Sequence, residues 1–180
     1  FRASVNQTPG RMNLFNLGKH HALVDYAHNP ASYEALGAFV RNWTSGQRIG
    51  VVGGPGDRRD EDFVMLGKLA SSIFDCIIIK EDDDTRGRKR GSAADLITQG
   101  IREVNPNCLH EIVLDETEAI NKALDLATDD SLVVILPESV NRAIELIKAR
   151  GVIEEEISEK FDSPTPKDKV GVPSSVLNSL

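Results

Sequence analysis

Short apolar runs alternate with segments of helical period along most of this chain, and that alternation leaves few folds open. Cys76-Ile77-Ile78-Ile79 shows it most plainly: four apolar residues, three of them β-branched, bounded by Asp75 and Lys80. A run so short and so branched reads as a central strand, apolar on both faces because both are covered. Residues 49–52, 112–114 and 132–136 are runs of the same kind. Between them, apolar residues recur at helical spacing: Tyr33, Leu36, Phe39, Val40 and Trp43 in one segment, Phe63, Leu66, Leu69, Ala70 and Ile73 in the next. Helices are expected over 30–43, 60–74, from Ser92 to about Val104, over 116–127 and over 139–150. Pro30 suits a first helical turn, Ser92 is the expected cap of the third helix, and Asp115 with Glu118 reads as a capping pair.

Ahead of this pattern, Met12, Leu14, Phe15 and Leu17 suggest a strand that breaks at Gly18-Lys19, and residues 20–26 form a second. So short a link makes the two an antiparallel hairpin. The expected fold is therefore α/β: a Rossmann-like, mostly parallel six-stranded sheet, helices on both faces and one antiparallel edge strand. Residues 1–10, ending in the turn pair Pro9-Gly10, read as a connector. Residues 11–150 form the domain, and 151–180, with Pro164, Pro166, Pro173 and scattered serines, read as a helix end and a poorly ordered tail.

Composition narrows the function. With 180 residues, 40% hydrophobic and 27% charged, the chain can bury a real core. A net charge of −7 argues against a general nucleic-acid binder, which wants a basic footprint. No apolar run approaches the roughly 18 residues of a membrane span. Cys76 and Cys108 are too few for a disulfide framework and are expected as buried free thiols, which points to a reducing cytosol. His20, His21, His28 and His110 show no convergent spacing, so no zinc site is expected.

In an open α/β sheet the turns after parallel strands share one edge, where ligands bind. Three of those turns carry chemistry here. Asp25-Tyr26-Ala27-His28-Asn29-Pro30 joins a strand to a helix with a carboxylate, an imidazole and an amide; Asp25 as a helix-entry cap and His28 as a satisfied surface histidine are the bland readings. Gly53-Gly54-Pro55-Gly56 is followed by Asp57-Arg58-Arg59-Asp60. It is neither a Walker A loop nor G-x-G-x-x-G, and it permits close backbone approach to a ligand or a tight turn. In it, Asp60 could cap a helix and Arg58 could clamp Asp57. The third loop sets Asp82, Asp83 and Asp84 against Arg86, Arg88, Lys89 and Arg90. It is either a solvated loop of compensating charge, a metal site, or a site for a zwitterion. In the last case Arg86 would fork onto a carboxylate while an aspartate receives a cationic group.

Four motifs in order, Gly10-Arg11-Met12-Asn13, Asp25 through Pro30, the loop 53–58, and Asp83-Asp84-Thr85-Arg86, resemble the carboxyl-terminal domain of the Mur ligase family. These are ATP-dependent amide ligases that include folylpolyglutamate synthetase, and the resemblance covers about residues 9–150. It implies that ATP phosphorylates a carboxylate and an amine then attacks the acyl phosphate. By matching positions, Asp25 would bind the ribose hydroxyls, His28 and Asn29 would line the nucleotide pocket, and Arg11 would reach the phosphates. Arg86 falls where the family's D-N-P-R arginine meets the incoming amino acid, although the motif here is D-D-T-R. Asp57, Arg58, Asp82, Asp83 and Asp84 complete the implied amino-acid side.

The branch of the family that attaches arginine to the side chains of a poly-aspartate backbone fits an acidic loop of this kind. The phosphate-binding loop and Mg²⁺ ligands of the family lie in a central ATPase domain without counterpart in this sequence. The resemblance therefore implies a domain inactive alone, partnered by that central domain and likewise by further copies in a homo-oligomer. Other Mur-type ligases, of the peptidoglycan-precursor or folylpolyglutamate kind, and a stand-alone nucleotide- or amino-acid-binding module stay open as alternatives.

Overall fold

The computed structural model describes residues 12–43 and 46–153. Arg11, the connector at 1–10 and most of the expected tail lie outside the described residues. Among the described residues six strands form one sheet: β1 (Asn13–Asn16), β2 (His21–Val24), β3 (Arg48–Val52), β4 (Cys76–Ile79), β5 (Leu109–Ile112) and β6 (Leu132–Ile135). Their spatial order is β1-β2-β6-β3-β4-β5. Only the β1–β2 pair is antiparallel, with Asn13 opposite Val24 and Asn16 opposite His21. The expected α/β fold is the observed one.

Among the described residues there are five helices, the first four connecting strands and the last following β6: α1 (Pro30–Trp43), α2 (Asp60–Ile73), α3 (Ser92–Val104), α4 (Glu116–Leu126) and α5 (Val140–Ala149). From β2 the chain skips a place to β3 and then steps to β4 and β5, so right-handed crossovers put α1, α2 and α3 on one face. From β5 it turns back to β6, which fills the skipped place, and α4 and α5 cover the other face. The core is split accordingly. Leu23, Ile77, Ile79, Leu132 and Val134 face the first three helices. Ala22, Val24, Ile49, Val51, Ile78, Val133 and Ile135 face the last two.

Two expectations are corrected. The fifth strand begins at Leu109, three residues before the apolar run at 112–114. It is an edge strand paired only with β4, and Leu109 is 64% exposed, so no buried apolar pattern marks its start. The ladder nonetheless continues beyond it, since the Val113 amide donates to the Ile79 carbonyl and the Glu81 amide to the Leu114 carbonyl. Ser92 does not cap α3. Its hydroxyl donates to the Lys89 carbonyl, and the cap position is Gly91 at φ +91°. Asp115, by contrast, accepts from the Glu118 amide as expected of a cap. Cys108 is buried and Cys76 half-buried; both are free thiols whose pKa burial pushes up.

Helices α2 and α3 cross with backbone on backbone. A Cβ on Gly67 would sit 2.0 Å from the Ile97 carbonyl oxygen, and one on Gly100 would sit 1.9 Å from that of Val64. Helix propensity favours alanine at Gly100 by about 1 kcal/mol, but backbone cannot step aside as a flexible side chain can. Gly100→Ala is expected to lose about 2 kcal/mol net, read as a lower urea midpoint; a higher midpoint would contradict this crossing.

At the opposite end of the sheet from the loaded loops, Arg48 forks onto Asp75, with contacts of 2.9 and 2.6 Å. Those side-chain bonds, joined by the Arg48 amide, hold the Asp75 carboxyl below the usual aspartate range. A depressed folded-state pKa adds stability above the unfolded value that is lost as pH falls through the folded one. The pair is partly exposed, so Asp75→Asn should cost about 0.5–1 kcal/mol at pH 7. The deficit should fade as pH drops below about 3.9; a deficit unchanged at acid pH would rule out the ion pair as its source.

Candidate functional site

The three turns expected on one edge do lie together, and a fourth joins them. They surround a cavity of about 330 Å³. Its walls come from Asp25 to Pro30 after β2, Gly53 to Pro55 and Arg58 after β3, Lys80, Asp82, Asp84 and Arg86 after β4, and Leu136 to Glu138 after β6. Topology explains the opening. Neighbours β2, β6 and β3 send their chains to α1, α5 and α2, on alternate faces, so the loops diverge and leave a crevice. Phe63, Leu66 and Leu69 of α2 supply an apolar wall.

Within the first turn, Asp25 is half-buried and its Oδ2 accepts from the Met12 amide at 3.0 Å, which ties the end of β2 to the residue that leads into β1. His28 is exposed, with Nδ1 2.9 Å from the Tyr26 carbonyl and its ring 5.5 Å from that of Tyr26. Asn29 is engaged as a cap: its Oδ1 accepts from the Ser32 amide, and the Ser32 hydroxyl accepts in return from the Asn29 amide. The turn is thus rigid at Asn29 and open at His28.

The glycine loop serves the neighbouring loop. A Cβ on Gly53 would lie 2.5 Å from the Lys80 carbonyl oxygen and one on Gly56 2.0 Å from that of Thr85. Gly54, by contrast, has space on the cavity side. Asp60 does not cap α2; the Asp62 carboxylate accepts from the Arg59 amide there, and Asp60 pairs with Arg88 at 2.8 Å. Arg58 does not clamp Asp57, which pairs instead with Arg86 at 3.0 Å.

Structure also sorts the charged loop. Arg88 is a staple: it donates to the Gly56 and Arg58 carbonyls and stacks over the Phe63 ring at 5.0 Å. Arg90 donates to the Asp82 and Leu114 carbonyls. Lys89 is exposed. Asp82 pairs with Lys80 at 2.8 Å and Asp83 with Arg142 at 2.8 Å. Asp84 accepts from the Arg86 amide, and Arg86 itself holds φ +50°, a left-handed conformation unusual for a side-chain-bearing residue at a rim. Of the expected site residues within the described range, Asp57 and Asp83 do not line the cavity. Among the described residues no group of three or more His, Cys, Asp or Glu could hold a metal ion.

Sequence reasoning missed the foundation. Lys80 is 1% exposed, and its Nζ lies 2.8 Å from both Asp82 Oδ1 and Glu116 Oε2. Glu116 is fully buried at the start of α4; it also accepts from the Glu138 and Ser139 amides and meets Arg142. Glu81, 4% exposed, accepts from the amides of Gly91, Ala93 and Ala94, supplying the cap that Ser92 does not. A buried charge survives only when paired and hydrogen-bonded. The available signal was position: charged residues directly after an all-apolar strand.

Tyr33 was read as core and is 2% exposed, yet it also lines the cavity, and its buried hydroxyl has no hydrogen-bond partner among the described residues. Burial raises its pKa, so it stays a neutral phenol.

The site and fold together match the Mur ligase family: residues 10–139 fit the model described as "Mur ligase, glutamate ligase domain", and the chain belongs to that family. The chain is 71% identical over 182 residues to the cyanophycin synthetase of Nostoc sp., covering all of this chain and 20% of that protein. It therefore spans about a fifth of the length of the curated relatives it matches. Among solved structures, a UDP-N-acetylmuramoyl-L-alanyl-D-glutamate–2,6-diaminopimelate ligase superposes at TM-score 0.67 with 23% identity, covering 79% of this chain and 32% of that one. MurF ligase from Thermotoga maritima in complex with ADP superposes at 0.54 with 16% identity, covering 79% and 31%; both show the shared fold.

Lys80→Met leaves Asp82 without its cation and Glu116 with only the longer Arg142 contact at 3.5 Å. Such a change is expected to destabilise the domain by about 3–5 kcal/mol, measured by urea unfolding; a loss under about 1 kcal/mol would show that the pair is not held out of water.

Proposed function

We propose that this chain is the carboxyl-terminal, substrate-presenting domain of an ATP-dependent amide ligase that joins arginine to aspartate side chains of a poly-aspartate backbone. One observation carries the reading. The residues matching the family's nucleotide positions (Asp25, His28, Asn29) and those matching its amino-acid positions (Arg58, Asp84, Arg86) line a single cavity at one edge of the sheet. Membership of the Mur ligase family and 71% identity to a cyanophycin synthetase support it.

In the proposed reaction the γ-phosphoryl group of ATP passes to an aspartate carboxylate, giving an acyl phosphate and ADP. The arginine amine attacks the acyl carbon, phosphate leaves, and the nitrogen loses its proton as the amide forms. Activation needs cations on the transferring phosphoryl group. Mg²⁺ and the phosphate-clamping residues belong in this reading to the central domain of the same enzyme, as the family resemblance implies. This chain's part is to hold and orient. Asp25, fixed by the Met12 amide, presents a carboxylate oxygen to ribose hydroxyls. His28 and Tyr26 offer an exposed ring pair beside it, and Arg86, braced by Asp57, meets the amino acid at the rim.

In the full-length ligase, Asp25→Ala should raise the KM for ATP about tenfold and leave that for arginine within about twofold, since one hydrogen bond to a charged group is worth roughly 1.5–3 kcal/mol. Arg86→Ala should do the reverse. Steady-state kinetics with each substrate varied in turn checks both. An Arg86 effect confined to ATP would overturn the assignment of that loop.

A further inference from the structure

The two edges of the sheet are not alike. Beside β1 the chain returns from α5, and the Ile153 amide donates to the Asn16 carbonyl at 2.8 Å, so that edge is partly taken. Beside β5 no further strand lies among the described residues. An open strand edge is a template for another chain, and proteins commonly blunt it with lysine, proline or a bulge. β5 reads Leu109-His110-Glu111-Ile112 and has neither lysine nor proline. Two of its four residues are apolar and exposed, Leu109 at 64% and Ile112 at 40%, and Val104 at the end of α3 is exposed as well. Its one carboxylate, Glu111, is answered by Lys122 of α4.

Register follows from which backbone groups are open. The Val113 amide donates to the Ile79 carbonyl, so residue 113 turns toward β4. Backbone direction alternates along a strand, so Glu111 also faces β4, while His110 and Ile112 point their amides and carbonyls away from it. In an antiparallel pair of two identical strands about a two-fold axis, open residues must meet open residues. Centring the pair on Glu111 satisfies all four groups: His110 of each copy exchanges both bonds with Ile112 of the other. Centring it on His110 would set Ile112 against Cys108, whose amide already donates to the Asn105 carbonyl. Centring it on Ile112 would set His110 against Leu114, whose carbonyl already accepts from the Glu81 amide.

We infer that β5 is a contact between two copies of this chain, paired antiparallel about a two-fold axis at Glu111, so that two six-stranded sheets join as one. Side chains agree with that register. On the α4 face Leu109 of each copy lies opposite Val113 of the other, which places apolar beside apolar. At the axis the two Glu111 carboxylates meet, each with its own Lys122, so two anions and two cations alternate rather than repel. The inference is independent of the proposed reaction.

The test uses the full-length ligase. At the axis the two Glu111 residues form a pair that exchanges no hydrogen bonds, with Cα atoms about 4.5 Å apart, inside the roughly 4.4–6.8 Å that a disulfide spans. Glu111→Cys is therefore expected to give a disulfide-linked dimer under mild oxidation, seen on a non-reducing gel above the wild-type background and lost on reduction. His110→Cys, whose counterpart sits opposite Ile112, should give far less. Ile112→Pro removes an outward amide that β5 does not use toward β4, so it should keep the wild-type urea midpoint. By sedimentation it should raise the dissociation constant of the pair at least about tenfold. If the proline unfolds the strand, the cysteine variants decide alone. No dimer from Glu111→Cys, an equal yield from His110→Cys, or a folded Ile112→Pro enzyme that associates as tightly as the wild type would overturn the inference.

Discussion

Two buried carboxylates beneath the sheet edge, Glu116 and Glu81, are what the site is built on. Glu116 joins three elements distant in sequence: the end of β4 through Lys80, the start of α5 through Arg142 and the Ser139 amide, and the turn after β6 through the Glu138 amide. Glu81, the residue after Lys80, reaches the other way and gathers the first amides of α3. Loops rich in charge would otherwise sample many arrangements. Here their ends are fastened by ion pairs and amide bonds shielded from water, where electrostatic interactions are strongest. The arrangement is costly to assemble and costly to disturb in part, which suits a site that must hold several side chains in one geometry.

From that foundation the chemistry is layered outward. The buried groups Lys80, Glu81 and Glu116 fix backbone. Half-exposed Arg88 staples the glycine loop to the charged loop through two carbonyls, which is why Gly53 and Gly56 must be small: they let the two loops touch. The outermost layer of the cavity lining holds His28, Arg58, Asp84, Arg86 and Glu138, and it is there that the proposed function seats a ligand. The many arginines and aspartates of the two loops are thus mostly construction, and the proposed function leaves recognition to the few that remain.

The fold was legible because the parallel strands are buried on both faces and read as apolar runs, and because single-helix connections between them dictate the crossovers. Only β5 misled, since an edge strand with exposed Leu109 has no such signature. The three loaded loops were legible as places. What each residue does there was not, because pairing across loops is a tertiary fact. Sequence alone offered Arg58 as one possible clamp for Asp57, where the fold pairs Asp57 with Arg86. It gave α3 a serine cap, where the fold supplies Glu81 from ten residues away. Glu138 went unnoticed because Leu136-Pro137-Glu138 looks like an ordinary strand end. Tyr33 sits at a core period of α1, and nothing in that period says that it also lines a cavity or that its hydroxyl is left unpartnered among the described residues.

If buried carboxylates organise the loops, the amides they hold must be protected from water although they lie outside strands. Hydrogen exchange on the full-length ligase measures this directly. The amides of Gly91, Ala93 and Ala94, bound by Glu81, and those of Glu138 and Ser139, bound by Glu116, should exchange as slowly as those of β4 and β6. Exchange at the rate of unprotected loop amides at these five positions would contradict the account.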